Sequence, residues 1–216
     1  MSTETQAPIE TQPATPAQSS ILTFGRWDIT GTVVEDPGLQ RYITLEPRLV
    51  PKTGARYAGK KFHKSKVYIV ERLLNKIMVT GHKAKKHKRT SGQNCGKAGT
   101  AYNIILKTFE LVEQQTKQNP LKVFVKALEN AAPREEIVSI EYGGARYPKA
   151  VDCAPQRRID IALRYFVQGA AEKAFCTNKG MTNALAEEIV GAYKIDQKSL
   201  AISKKLEIER QADSAR

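Results

Sequence analysis

A chain of 216 residues, 41% of them hydrophobic, is large enough for one domain, or one domain plus an extension, with a modest core. A formal net charge of +13 and an isoelectric point near 9.7 point to a polyanionic partner, nucleic acid or an acidic membrane surface. Three widely spaced cysteines, Cys95, Cys153 and Cys176, argue against a disulfide framework and suit a reducing compartment, and no apolar run approaches the roughly 18 residues of a membrane span.

The charge is focal. Residues 1–51 hold three Lys or Arg against six acids, residues 52–97 hold fourteen against the single Glu71, and residues 98–216 hold eighteen against fifteen. A merely solvating surface would mix both signs. Residues 1–20 are Thr, Gln, Pro, Ala, Ser and Glu with little apolar content, and they are expected to form a disordered tail. That tail has no Lys or Arg and no apolar stretch, so neither a signal peptide nor a mitochondrial transit peptide is expected, and the protein is expected to be cytoplasmic.

Residues 21–66 read as an extended N-terminal arm lying on another surface. Trp27, Ile29, Val33, Val34, Tyr42, Ile43 and Leu45 are interrupted by Asp36-Pro37-Gly38, Glu46-Pro47 and Val50-Pro51, which favour extended segments and turns over a helix. From residue 67 to 216 the pattern predicts a helical domain. Val67, Val70, Leu74, Ile77 and Met78 share one helical face that Gly81 stops, while Arg72, Asn75 and Lys76 face elsewhere. Gly81–Gly99 is polar, Gly-rich and basic, and is predicted to be a long loop. A second helix carries Tyr102, Ile105, Leu106, Phe109 and Val112, and Asn119-Pro120 opens a third that ends at Pro133. The period then changes from 3.6 to 2, and Gly143-Gly144 between β-like runs predicts a hairpin at about 137–151. Pro148 confines its strand to an edge, and an isolated hairpin is marginal in water, so it must pack on the helices or on a partner. Three more helices follow: one after Pro155, one at 181–193 and one at 199–213. The expected fold is mainly α: a bundle of about six helices, one projecting β-hairpin and an extended N-terminal arm.

Two basic clusters flank the first long helix. Lys60, Lys61, Lys64 and Lys66 precede it; Lys83, Lys85, Lys86, Lys88 and Arg89 follow it. A helix of about 14 residues holds such clusters on the order of 20 Å apart, a span suited to several phosphates of a folded nucleic acid. Arg134, Arg146, Lys149, Arg157 and Arg158 form a second basic group around the hairpin. Phe62, Tyr142 and Tyr147 lie among these charges, where they either stack on unpaired bases or pack ordinarily. Gly92–Ala98 lacks the first Gly, the final Ser or Thr and the preceding strand of a phosphate-binding loop. His82, His87 and Cys95 lack the paired spacing and fourth ligand of a zinc site. No Cys, His and carboxylate converge in sequence for nucleophilic catalysis. The residues therefore point to a non-enzymatic binding protein with no cofactor and no metal; a helical DNA-binding regulator is the alternative, which would need a recognition helix and usually a dimer.

An ordered run of motifs then matches a known family. Asn75-Lys76-Ile77-Met78 with Gly81 and the lysine-rich loop resembles the first-helix motif of a universal small-subunit ribosomal protein, the S-seven family, numbered five in eukaryotes. Asn119-Pro120-Leu121-Lys122-Val123-Phe124 with Glu129-Asn130 and Pro133-Arg134 resembles its third helix, and Tyr142-Gly143-Gly144-Ala145 its hairpin tip. Val151–Pro155 with Arg157-Arg158 resembles the entry to its fourth helix, although Cys153-Ala154-Pro155 stands where Val-Ser-Pro is usual. Lys52-Thr53-Gly54 and the ending Glu209–Arg216 resemble the archaeal branch. The resemblance, from about Phe24 to Arg216, implies a structural protein of the small ribosomal subunit that binds the 3′ major domain of its rRNA and organises head assembly. It implies rRNA contacts from Lys60, Lys61, Lys64, Lys66, Arg72, Asn75, Lys76, the Lys83–Arg89 loop, Arg134, Arg157 and Arg158. It places the hairpin, with Tyr142, Gly143, Gly144, Arg146, Tyr147 and Lys149, near the exit-site tRNA and the mRNA exit path. Neighbours of the ninth and eleventh small-subunit families are further implied partners.

Overall fold

The computed structural model describes residues 21–83, 86–87 and 92–216, without the side chains of residues 82, 83, 86 and 87. The expected tail, residues 1–20, and Lys85, Lys88 and Arg89 lie outside the described residues. The first described segment lies on the chain's own helices. Phe24, Trp27, Ile29, Val34, Leu39 and Ile43 are buried in the same core as the helical residues. Phe24 and Trp27 meet Phe109 edge-on with ring centroids 6.1 and 5.9 Å apart, and Trp27 Nε1 donates to Glu113 at 3.0 Å. Thr23 Oγ1 and the fully buried Tyr68 hydroxyl hydrogen-bond at 3.0 Å; burial pushes that phenol up to about 12.

Asp36-Pro37-Gly38, which the sequence marks as a turn, opens a single helical turn, α1 (Pro37–Gln40). The Asp36 carboxylate accepts from Gly38 N at 2.9 Å and Pro37 occupies the first helical position, so one residue set serves as turn and as cap. A parallel bridge between Thr44 and Tyr68 delivers the chain to α2 (Ile69–Ile77). Apart from Asn75 and Lys76, every residue of α2 is buried, Glu71 and Arg72 included. The region predicted as a loop contains a two-residue antiparallel ladder, β1 (His82–Lys83) and β2 (Lys86–His87). Its residues are basic or imidazole, without apolar alternation, so no period-2 signal betrays it.

Five longer helices complete the bundle: α3 (Ala98–Thr116), α4 (Pro120–Ala131), α5 (Pro155–Ala174), α6 (Met181–Tyr193) and α7 (Leu200–Ser214). Asn119 Oδ1 caps α4 by accepting from Leu121 N at 3.0 Å, with Pro120 inside the start. Helix α6 sits among α3, α4, α5 and α7. Its buried Ala184, Leu185, Ala186, Ile189 and Ala192 fill the middle of the core, and the three alanines allow close approach. Among the described residues no helix is long and apolar enough to cross a membrane.

The hairpin is β3 (Glu135–Tyr142) and β4 (Ala145–Asp152), paired without interruption from Glu135–Asp152 to Tyr142–Ala145. Gly143 and Gly144 have φ of 59° and 82°, the left-handed pair that a two-residue type I′ turn requires. Pro148 faces Ser139 in a two-stranded ribbon, where both strands are edges. The base of β3 is half-buried and packs on α7, whereas both strands are exposed from Val138 to Lys149. The fold is thus the mainly helical bundle with one projecting hairpin that the sequence predicts.

Candidate nucleic-acid interface

The basic segment is assembled so that its one acid leaves the surface. Glu71, 4% exposed on α2, accepts from Thr53 N at 2.9 Å and Thr53 Oγ1 at 2.5 Å, pinning the segment that begins at Lys52. No acid occurs between Glu46 and Glu71, and Lys52, Arg56, Lys60, Lys61, Lys64 and Lys66 are all exposed along it. That leaves six exposed cations in a run of sequence without an acid, which concentrates positive potential along it.

A second shared feature is Asp160 of α5. It accepts from Lys64 Nζ at 3.0 Å and from Arg72 Nη2 at 3.2 Å, and Arg72 also donates to the Tyr42 carbonyl at 3.1 Å. Burial alone would raise the Asp160 carboxyl, but the Lys64 hydrogen bond and the charges of Arg72 and Lys64 outweigh it and hold it below the usual range. Arg72 is only 6% exposed and faces inward, whereas Asn75 is exposed. Lys76 is half-buried: burial, then the nearby charges of Arg164, Lys64 and Arg72, push its ammonium down against the pull of Asp160. Lys64, Arg72 and Lys76 therefore come together beside Asp160, joined by the exposed Arg164. The seven-residue spacing of Arg157 and Arg164 puts them on one face of α5 but gives Arg164 no role. Its signal lay in Lys76, a part of α2 that the sequence could not place against α5.

The expected basic group around the hairpin divides. Arg158 Nε donates to the Pro133 carbonyl and Nη2 to Asp36, both at 2.9 Å, bolting the start of α5 to the cap of α1. Arg157 stays largely exposed while its Nε donates to Glu136 at 2.7 Å. Arg134 is exposed and its backbone N–H donates to Glu209 at 3.1 Å. Arg146 lies 3.7 Å from its cross-strand partner Glu141, and Lys149, Gly143 and Gly144 are exposed with it. Tyr142 and Tyr147, 82% and 59% exposed, leave the hairpin tip presenting rings and cations to solvent. Lys83 and Lys86 are backbone partners in the β1–β2 ladder.

Burial and then Glu136 push the Cys153 thiol up to about 11, away from the reactive thiolate. What the exposed groups can do is hold phosphates by charge and bases by stacking.

Comparison with known proteins agrees. Residues 39–216 match the family model for Ribosomal protein S7p/S5e. The chain is 57% identical over 193 residues to a small ribosomal subunit protein uS7 of Nanoarchaeum equitans, covering 89% of this chain and 98% of that relative. It is 45% identical over 199 residues to the uS7 of Archaeoglobus fulgidus, covering 92% and 97%. The chain belongs to the S7p/S5e family of ribosomal proteins.

Proposed function

We propose that this chain is a non-catalytic structural constituent of the cytoplasmic small ribosomal subunit that binds the 3′ major domain of small-subunit rRNA and helps organise the head. Family membership supports the coarser part, a small-subunit rRNA-binding protein among other ribosomal proteins. The observation that supports RNA binding by this chain's own residues is the acid-free run of exposed cations from Lys52 to Lys66, whose nearest acid in sequence, Glu71, is buried. On this reading Lys60, Lys61, Lys64, Lys66 and Lys76 grip phosphates, together with the Lys83–Arg89 segment. Arg134 and Arg157 extend the grip toward the hairpin. Arg72 and Arg158 act from beneath, holding the elements that carry the others. The exposed tip, Tyr142 to Lys149, reaches toward the exit-site tRNA and the mRNA exit path, and proteins of the ninth and eleventh small-subunit families are its neighbours.

Binding of the full chain to a 3′ major domain rRNA fragment and to duplex DNA, each across a range of salt, tests the proposal. Preference for the fragment at every salt concentration, with a steep negative slope, is expected. Equal affinity for both nucleic acids would sink it.

A further inference from the structure

Phe62 is an aromatic residue in a place that folding does not explain. It is 75% exposed, yet its φ of 57° lies in the left-handed backbone region that residues other than Gly, Asn and Asp rarely enter. Strain of this kind persists where surrounding structure over-determines it, and it concentrates at binding sites. Here the surroundings do so. The Phe62 carbonyl accepts from Ser65 N at 3.2 Å and from Ser65 Oγ at 2.8 Å, and His63 Nδ1 lies 3.1 Å from the Lys60 carbonyl. The turn is tied to the body twice: Thr44 Oγ1 donates to the Ser65 carbonyl, and Lys64 bridges to Asp160. A hydrogen-bonded turn thus holds one ring out from the body of the protein, in the middle of the segment without acids.

From this we infer that Phe62 is a stacking site for an unpaired base of the bound RNA, flanked by the phosphate contacts of Lys60 and Lys61. The inference rests on the rRNA-binding reading. An RNA base fits the site better than an apolar protein surface does. Interface cores between proteins are depleted in lysine, whereas stacking rings among cations are the usual composition of single-stranded RNA sites. Because the turn that carries the ring is already fixed, stacking costs little further ordering.

The test uses the full chain and a 3′ major domain rRNA fragment. Phe62→Ala should weaken binding by about 5- to 150-fold, the range for one stacked base, with the salt slope unchanged because no phosphate contact is lost. Phe62→Trp should keep wild-type affinity, and the fluorescence it adds to that of the buried Trp27 should be quenched by the fragment. Phe62→Leu should behave like Phe62→Ala. Lys60→Ala with Lys61→Ala should flatten the slope by about two at most. Wild-type affinity in Phe62→Ala or Phe62→Leu, or an added fluorescence in Phe62→Trp that does not respond to the fragment, overturns the stacking site. It leaves the RNA reading intact if the double lysine variant still loses affinity and slope. Failure of the wild-type chain to bind the fragment overturns both.

Discussion

Asp160 shows how much of the basic surface depends on one acid placed beneath it. Its two oxygens take Lys64 from the 3-10 turn at His63–Lys66 and Arg72 from α2, so two positive groups from separate segments are fixed by a single carboxylate. The carboxylate is 17% exposed and Arg72 6%, so removing the charge strands a buried guanidinium. Asp160→Asn is expected to cost about 2–4 kcal/mol of stability at neutral pH, measured by urea unfolding. The sign with pH follows from the depressed carboxyl. Its folded value lies below the ordinary 3.8, so the stabilisation is complete above about pH 5 and disappears as pH falls through the folded value. Wild type should therefore lose stability on acidification more steeply than Asp160→Asn; parallel acid limbs for the two would show that Asp160 contributes nothing to linkage.

At the scale of elements, the contact of α5, α6 and α7 turns on a glycine. Gly169 of α5 lies so close to α6 that a Cβ there would stand 2.8 Å from the Glu188 carboxylate and 2.9 Å from Leu200 Cβ. Glu188 is fully buried. It accepts from Ser199 Oγ at 2.7 Å and Leu200 N at 2.9 Å, satisfying the start of α7, and its Oε1 lies 2.7 Å from Lys173 Nζ without hydrogen-bond geometry. Gly169→Ala is expected to destabilise by about 1–3 kcal/mol, read as a lower thermal midpoint, since neither backbone nor carboxylate can retreat without breaking the α7 cap. An unchanged midpoint would mean that α5 and α6 separate freely.

The helices α3 to α7 and the hairpin were legible because each carries a local signature: Asn119-Pro120 for a cap, Gly143-Gly144 for a turn, and apolar residues at helical spacing. The burial of residues 24–43 was not legible. Trp27, Ile29, Val34 and Leu39 follow no period, because an irregular segment chooses its inward residues from the surface it meets. The same limit governs the site. Composition exposed the lysine-rich surface, but Arg72 and Arg158 turn inward on acids 88 and 122 residues away in sequence, a pairing that no local pattern announces.

For the whole molecule, those N-terminal residues join the core and also lead to the basic segment that begins at Lys52. Deleting residues 21–50 removes six buried apolar side chains, Phe24, Trp27, Ile29, Val34, Leu39 and Ile43. At roughly 1.5–3 kcal/mol each the loss is on the order of 10 kcal/mol, comparable to the stability of an entire domain. The truncated chain is expected to lack a cooperative unfolding transition by circular dichroism; a native-like transition would make the segment an accessory arm.

Charge is distributed over the molecule in keeping with its proposed place: a single-signed segment at 52–66, mixed signs over the later helices, and a hairpin projecting with exposed rings. The measurement that bears most directly on the central claim is a footprint of the full chain on intact small-subunit rRNA. Protections confined to the 3′ major domain, and weakened there by Lys60→Ala with Lys61→Ala, are predicted. Protections in another domain, or none above the level given by an unrelated basic protein, would contradict it.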